Sequence, residues 1–270
     1  MDGFDLEYLD IGTGPVILFL HGALTDMHNW DKLIPFLQQN YRCIAPTLPL
    51  GGHRHAICGA ADLSVKGVAR IIEAFIKALK LAPVNVVAND TGGVYAQMLA
   101  AEFDSSVRSL VLTNCDALDV FPPKPFATLP KAVNIPGYVR GMAMLFRFST
   151  FIKSSIAMGL LSHSLSAYEL KRPLRSFVNA KDIQNDFKEV AGAWRNDVTQ
   201  QLGTALSSFT KPVKIVWGAD DVLFPVDLGQ RLSTRFPNAS FEVVTNTRTY
   251  IQCDQPAKLA QHITAFISAL

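Results

Sequence analysis

Short apolar runs alternate with helical periodicities in the first and last parts of the chain. Residues 63–79 repeat apolar side chains every three or four positions, which is typical of an amphipathic helix. Helices are also predicted at 30–39, from about 91 to 103, at 228–236 and from about 257 onward. The apolar runs predict extended segments at 5–12, 15–20, 41–46, 84–87, 109–113, 213–217 and 241–244.

This alternation predicts an α/β fold in which a mostly parallel sheet is covered by helices on both faces. The pattern breaks after Asp116, and residues 120–194 are mostly helix-like with several prolines. We therefore predict a core made of residues 1–119 and 200–270, with a helical insertion at 120–199. Within the insertion, residues 141–161 are rich in Met, Phe, Ile and Leu. They fit either an ordinary buried helix pair or the lining of a lipophilic pocket.

Composition narrows the classes of function. The 270 residues are 49% hydrophobic, and the net charge of +2 shows no basic stripe, which makes nucleic acid a poor partner. No apolar run is long enough for a membrane span, and the first residues lack a signal-peptide pattern, so we expect a cytoplasmic protein. Four scattered cysteines, Cys43, Cys58, Cys115 and Cys253, suit reduced thiols better than disulfides or a zinc site. The sequence indicates neither a cofactor nor a metal site, and it leaves the oligomeric state open.

Residues 84–96 hold the strongest chemical signal. They predict a buried strand, a sharp turn and a helix, with Asp90 at the turn. Such a turn strains the central backbone and requires small neighbours, here Ala88, Gly92 and Gly93. Asp90 would present its carboxylate at the N-terminus of the helix. The alternative is that Asp90 only caps this helix.

The order of these features resembles the α/β-hydrolase superfamily, with the likeness covering nearly the whole chain. The order is strand, His-Gly, strand-turn-nucleophile-helix, insertion, strand-Gly-x-x-Asp and final helix. The nearest likeness is to the haloalkane dehalogenase and epoxide hydrolase branch, in which the nucleophile is aspartate. The resemblance implies an α/β-hydrolase fold with a helical cap over the carboxyl ends of the strands.

The resemblance also implies roles for individual residues. Asp90 would be the nucleophile, and the N–H groups of Ala23 and Thr91 would form the oxyanion hole. The acid of the triad would be Asp221, in the sequence Gly218-Ala219-Asp220-Asp221, which follows the seventh strand of the family's sheet. Asp116 is an alternative candidate for the acid of the triad. His21 would support its loop or approach the pocket.

The family's histidine is missing. Counting back from Pro256 brings its position to Thr249, and threonine cannot activate water to break an enzyme ester. His53, His55 and His163 could replace it only if one of them reached the pocket. Thr91 stands where dehalogenases carry a halide-binding tryptophan, which disfavours dehalogenation. Two tyrosines of the insertion, Tyr138 and Tyr168, are candidates for a proton donor.

We therefore expect an enzyme that acts on a small hydrophobic molecule, with Asp90 as nucleophile or acid–base residue. Two alternatives stay open: a cofactorless lyase, isomerase or cyclase, and a small-molecule receptor without turnover. Burial and the nearby acids should raise the pKa of Asp90 above its usual value. Thr249 should lie close to Asp90 and Asp221.

Overall fold

The computed structural model describes residues 5–57 and 61–270. Cys58 and the first four residues lie outside this part of the chain. The described residues form a sheet of seven strands: β1 (Tyr8–Ile11), β2 (Val16–Leu20), β3 (Arg42–Pro46), β4 (Val84–Asp90), β5 (Val107–Cys115), β6 (Val213–Gly218) and β7 (Ala239–Val244).

The sheet is mostly parallel, as the alternating pattern predicts. Its strand order is β1-β3-β2-β4-β5-β6-β7, and only the edge strand β1 pairs in the antiparallel direction. The central strand β4 is buried along its whole length. Its carboxyl end lies beside those of β2 and β5, so the loops after these strands share one edge of the sheet.

Alternate residues of each strand supply two separate cores. In β2, Leu18 and Leu20 pack on one face of the sheet, whereas Ile17 and Phe19 pack on the other. Helices α1 (Val65–Ala78), α2 (Gly92–Glu102) and α10 (Val226–Ser233) contribute to the first core. The second core includes α12 (Pro256–Ser268), which follows the short helix α11 (Ile251–Asp254). The predicted helices on both faces are therefore confirmed.

The helix predicted at residues 30–39 is wrong. This region forms two short 3-10 helices, Met27–Trp30 and Ile34–Phe36, separated by a turn. Pro35 has no N–H group and cannot take part in a continuous helical ladder through the predicted interval. Trp30, Leu33 and Leu37 are nevertheless buried, so the apolar pattern reports packing rather than a regular helix.

Helices fill the chain between β5 and β6. They are α3 (Leu129–Ala132), α4 (Tyr138–Leu145), α5 (Ser149–Ile152), α6 (Ala167–Lys171), α7 (Arg175–Asn179), α8 (Lys181–Gly192) and α9 (Asn196–Ala205). We call them the inserted helices. Helix α9 continues across the predicted boundary between residues 199 and 200. Edge-to-face contacts from Phe146 to Phe177 and from Phe177 to Phe187 join α4, α7 and α8. In the described part of the chain, no helix has both the length and the apolar character needed to cross a membrane.

Candidate active site

Asp90 occupies a strained turn at the carboxyl end of the central strand. It is the last residue of β4, its φ is +55°, and α2 begins two residues later at Gly92. A non-glycine residue adopts this left-handed backbone at a free-energy cost of about 1–3 kcal/mol. The close approach of the chain explains the glycines: a Cβ atom on Gly22 would lie 2.5 Å from Cγ of Asp90, and one on Gly92 would overlap the Leu20 carbonyl.

Two hydroxyl groups contact the Asp90 carboxyl. The Tyr250 hydroxyl donates to Oδ2 at 3.4 Å, and the Thr91 hydroxyl donates to Oδ1 at 3.5 Å. Both contacts are long, so they orient the carboxyl more than they neutralise it. Tyr250 is fully buried, and burial holds the pKa of its hydroxyl well above the usual value. Tyr250 therefore faces Asp90 as a protonated donor.

Asp221 lies in the loop after β6 and is held more firmly. Asn114, near the end of β5, donates to its Oδ2 at 2.8 Å. The amides of Leu223 and Phe224 donate to Oδ1 at 2.8 and 3.2 Å. Because the described sheet has seven strands, the strand before Asp221 is the sixth in this chain. The neighbouring Asp220 points outward and pairs with His163.

Thr249 lies beside Asp221. Its hydroxyl lowers the pKa of the Asp221 carboxyl, yet Oγ1 is buried and has no hydrogen-bond partner within normal geometry among the described residues. The backbone of Thr249 is fixed to the end of β4, because Asn89 Nδ2 donates to the Thr249 carbonyl at 2.7 Å. Gln252 in turn donates to Asn89 Oδ1 at 2.9 Å. Thr249 thus faces one acid, while the adjacent Tyr250 contacts the other.

Asp254 fastens the same loop to the inserted helices. Its carboxylate accepts hydrogen bonds from the Ser162 hydroxyl at 2.5 Å and from the amides of His163, Ser164 and Arg248 at 3.0–3.1 Å. These donors lower the pKa of Asp254 even though half-burial opposes them. The segment that carries Thr249 and Tyr250 is therefore clamped to residues 162–164.

The site contains three buried carboxyls, those of Asp90, Asp116 and Asp221. None of them has a cationic partner among the described salt bridges. Burial, followed by the Asp221 charge, raises the pKa of Asp90 to about 7, against the opposing effect of the Thr91 amide. Burial also raises the pKa of Asp221 to about 6. The pKa of Asp116 lies well above its usual range because of burial and the Asp90 charge. The predicted rise in the pKa of Asp90 is confirmed.

A cavity of about 410 Å³ opens above Asp90 and Asp116. Asp90, Thr91 and Asp116 form its polar floor, and Ala23 borders them. The rest of the lining is largely apolar, and much of it comes from the segment whose Met-rich and Phe-rich composition suggests a lipophilic pocket: Gly141, Met142, Leu145, Phe146, Phe151, Ile156, Ala157, Met158 and Leu161.

Two backbone amides adjoin the Asp90 carboxyl end of the cavity. The Thr91 amide lies close enough to that carboxyl to lower its pKa. Among the described residues the Ala23 amide has no hydrogen-bond partner, whereas the next amide, of Leu24, donates to the Leu50 carbonyl. The Ala23 amide is thus available to a bound molecule.

The structure brings no histidine to the cavity. His21 is fully buried beneath the loop, where its Nε2 accepts from the Leu48 amide at 2.8 Å, and burial lowers its pKa to about 4. His53 pairs with Asp186 at 3.1 Å, and His55 lies 3.7 Å from Glu7. His163 pairs with Asp220. None of these four, all in described residues, is among the cavity residues.

The two predicted tyrosines have different positions. Tyr138 lines the cavity, whereas Tyr168 is 78% exposed and lies outside it. The tyrosine that contacts Asp90 is Tyr250, which the sequence reasoning missed, as it missed Asn114. The signal for Tyr250 was its place next to Thr249 in the histidine loop. The signal for Asn114 was its position at the carboxyl end of a strand next to β6.

Asp90 lies at a strained turn after the central parallel strand. The inserted helices lie between β5 and β6, above this turn. Together these features define an architecture of the α/β-hydrolase type. The family model for the alpha/beta hydrolase fold matches residues 15–256. The chain belongs to this family.

The similar proteins include a haloalkane dehalogenase and a monoacylglycerol lipase. Haloalkane dehalogenase 2 of Mycobacterium bovis is 27% identical over 271 residues, covering 96% of this chain and 90% of the relative. Monoacylglycerol lipase ABHD6 of Mus musculus is 24% identical over 273 residues, covering 96% and 77%. Among solved structures, the ancestral haloalkane dehalogenase AncHLD2 superimposes with a TM-score of 0.80 at 21% identity, covering 100% of this chain and 96% of that one.

Proposed function

We propose that this protein is an enzyme that transfers protons to and from a small hydrophobic molecule, with Asp90 as the acid–base residue. The observation that carries the proposal is the Asp90 carboxyl at the floor of an apolar cavity, with a pKa of about 7 and no histidine among the lining residues. The inserted helices would act as the cap that keeps water from this carboxyl.

The raised pKa of Asp90 favours an acid–base role over a nucleophilic one. At pH 7 about half of the Asp90 carboxyls are protonated, so the same residue can accept a proton and later donate one. At the ordinary value of 3.8, only about one carboxyl in 1,500 would hold a proton at pH 7. Acid–base work at neutral pH is therefore favoured by the same burial that weakens the carboxylate as a nucleophile.

Other groups would assist this proton transfer. A molecule with a carbonyl group could place its oxygen toward the amides of Ala23 and Thr91, which would stabilise negative charge on that oxygen. Asp90 would remove a proton from the adjacent carbon and return it to the same carbon or to another. The reaction class is an isomerisation or a related cofactorless conversion. Asp221 and Thr249 would keep the far side of the site polar and closed.

The cavity sets the class of substrate. A volume of about 410 Å³ lies within the range for small-molecule sites, and aliphatic and aromatic side chains dominate the lining. The carboxyls of the lining are those of Asp90 and Asp116, and its hydroxyls include that of Tyr138. The substrate should therefore be a compact lipophile with one polar group at the end that reaches Asp90.

The strained turn favours a second candidate, in which Asp90 is a nucleophile. A φ of +55° aims this side chain at the cavity, as covalent chemistry requires. Attack would form an ester between Asp90 and the substrate. Hydrolysis of that ester needs a base for water, and Thr249 cannot act as one. This second candidate therefore predicts an adduct that accumulates.

Deuterium exchange tests the first candidate. The protein is incubated in D2O with lipophilic ketones whose binding is first established by ligand NMR, and deuterium incorporation beside the carbonyl is followed. We expect exchange that rises with a midpoint near pH 7 and is lost in Asp90→Asn. Asp220→Asn is the matched control, because Asp220 is an exposed neighbour of Asp221 that lies outside the cavity.

Two outcomes would contradict the proposal. Binding of the ketones without exchange would indicate a receptor. The second outcome is a stable adduct on Asp90 without exchange, which would support Asp90 as a nucleophile. Intact-mass spectrometry after incubation with epoxides, esters and haloalkanes detects such an adduct.

A further inference from the structure

The beginning of the insertion has an unusual charge pattern. Residues 120–168 contain five basic residues and no aspartate or glutamate, although the whole chain has a net charge of only +2. The remainder of the chain therefore carries a net charge of −3. The basic residues are all exposed, and none has a carboxylate partner among the described salt bridges: Lys124, Lys131, Arg140, Arg147 and Lys153.

Large apolar side chains are exposed in the same segment. Ile135, Met144, Leu145, Phe148 and Ile156 have between 47% and 71% of their surface accessible. They fall within 22 residues that also include the partly exposed Tyr138, whereas the remaining exposed large apolar residues of the described chain are scattered. A soluble protein gains nothing from such a cluster unless another surface covers it.

Helix α4 connects this cluster to the cavity. Its residues Tyr138, Met142 and Leu145 line the cavity, and its other side borders a shallow groove. The groove contains no acidic residue, and its lining includes Arg140 and Arg147. We call the following residues the α4 surface: Ile135, Arg140, Met144, Leu145, Arg147, Phe148, Ile156, Lys181 and Lys188.

We propose that the α4 surface docks on the surface of an anionic phospholipid bilayer. Apolar side chains of this kind insert into the boundary between headgroups and acyl chains, while adjacent arginines and lysines contact anionic headgroups. Charge complementarity selects this partner. A second copy of the chain that docked through the same surface would place the two sets of cations opposite each other, where they would repel.

Docking would also define how the substrate arrives. Leu145 and Ile156 are exposed and line the cavity, so the cavity opens within the docking surface. A lipophile dissolved in the bilayer could then pass into the cavity without crossing water. This route rests on the proposed function, whereas docking itself does not depend on catalysis.

Vesicle binding tests the docking. The full chain is sedimented with vesicles of phosphatidylcholine alone or mixed with phosphatidylserine. We expect binding only to the anionic vesicles and weaker binding at high salt. The variant Arg140→Gln/Arg147→Gln should bind about 25-fold more weakly, since each cation contributes about fivefold. Arg70→Gln/Arg235→Gln is the control, because it removes two exposed arginines from outside the insertion.

A second measurement reports contact with the acyl chains. Trp30, Trp194 and Trp217 are buried, so Phe148→Trp adds an exposed fluorophore on the α4 surface. Its emission should shift to the blue with anionic vesicles and should be quenched by brominated lipids.

Three results would overturn the docking proposal. The first is absence of binding to anionic vesicles, and the second is equal binding by the two arginine variants. The third is a dimer, detected by light scattering, whose amount changes in Arg140→Gln/Arg147→Gln. Asp90→Asn should dock like the unaltered protein. Failure of docking can thus be distinguished from failure of the proposed proton transfer.

Discussion

Replacing Asp90 by asparagine should stabilise the protein, and the gain should grow with pH. Folding buries this carboxyl and raises its pKa from 3.8 to about 7. Between these values the folded state holds a proton that the unfolded state has released. The free energy of unfolding therefore falls as the pH rises through this interval, and it levels off above pH 7. Asparagine has no such proton, so Asp90→Asn removes this pH dependence.

The size of the effect follows from the two pKa values. A difference of about 3 pKa units at about 1.4 kcal/mol each gives about 4 kcal/mol for a fully buried carboxyl. Unfolding of 270 residues has an entropy near 0.6 kcal/mol per kelvin, so the gain corresponds to roughly 7 °C in Tm. Asp116 and Asp221 titrate in both proteins, but the Asp90 charge raises the pKa of Asp116, so losing that charge in Asp90→Asn adds to the gain above pH 7.

Calorimetric melting of both proteins at pH 4, 6 and 8 is the assay. The difference in Tm should be small at pH 4 and should increase toward pH 8. A constant difference at all three values would refute a raised pKa at Asp90. A difference that decreases with pH would mean that Asp90 is stabilised as a carboxylate, which would favour the nucleophile.

Three further predictions address neighbouring contacts. Tyr250→Phe removes a hydroxyl that lowers the pKa of Asp90, so a carboxyl NMR titration should move the midpoint above 7; an unchanged midpoint would show that the contact at 3.4 Å has no effect. Asp254→Asn should destabilise the protein by about 1–3 kcal/mol at pH 8 and by less at pH 3, because the pKa of Asp254 is lowered by its donors; urea unfolding at both pH values measures this, and equal losses would contradict it. Gly93→Ala should cost about 1–3 kcal/mol in urea unfolding because its Cβ would overlap the Cys115 side chain, and a neutral result would mean that α2 can shift away.

The sequence predicts the architecture well because strands buried in a parallel sheet are recognisable as apolar segments. Strand β2 is a continuous apolar run, β4 carries Val84, Val86 and Val87, and the glycines around Asp90 follow from the close approach of strand and helix. Residues 30–39 fail for the converse reason. Their spacing reflects a buried face, but Pro35 makes a regular helix impossible, and propensity at one residue outweighs a periodic pattern.

The site is less predictable, because contacts between distant loops have no local pattern. Asp90, Asp116, Thr91 and Ala23 can be found from motifs, and all four line the cavity. Tyr250 cannot be found this way, since its approach to Asp90 depends on a loop fixed from both sides, by Asn89 and by Asp254. Nor does overall charge reveal the α4 surface, because the cations of residues 120–168 are balanced elsewhere in the chain.

The loop of Thr249 and Tyr250 also bears on how this site could change in evolution. Two adjacent residues divide the contacts with the acids, because Thr249 lies beside Asp221 and Tyr250 contacts Asp90. A histidine introduced at Thr249 would reach Asp221 but would find the Asp90 side already occupied by the Tyr250 ring. If the proposed proton transfer is right, ester hydrolysis would therefore require changes at both Thr249 and Tyr250. Because the Tyr250 amide donates to the Leu161 carbonyl, the loop itself is not free to adjust after the first. Under the proposed function, a substitution at Thr249 alone would therefore not convert proton transfer into ester hydrolysis.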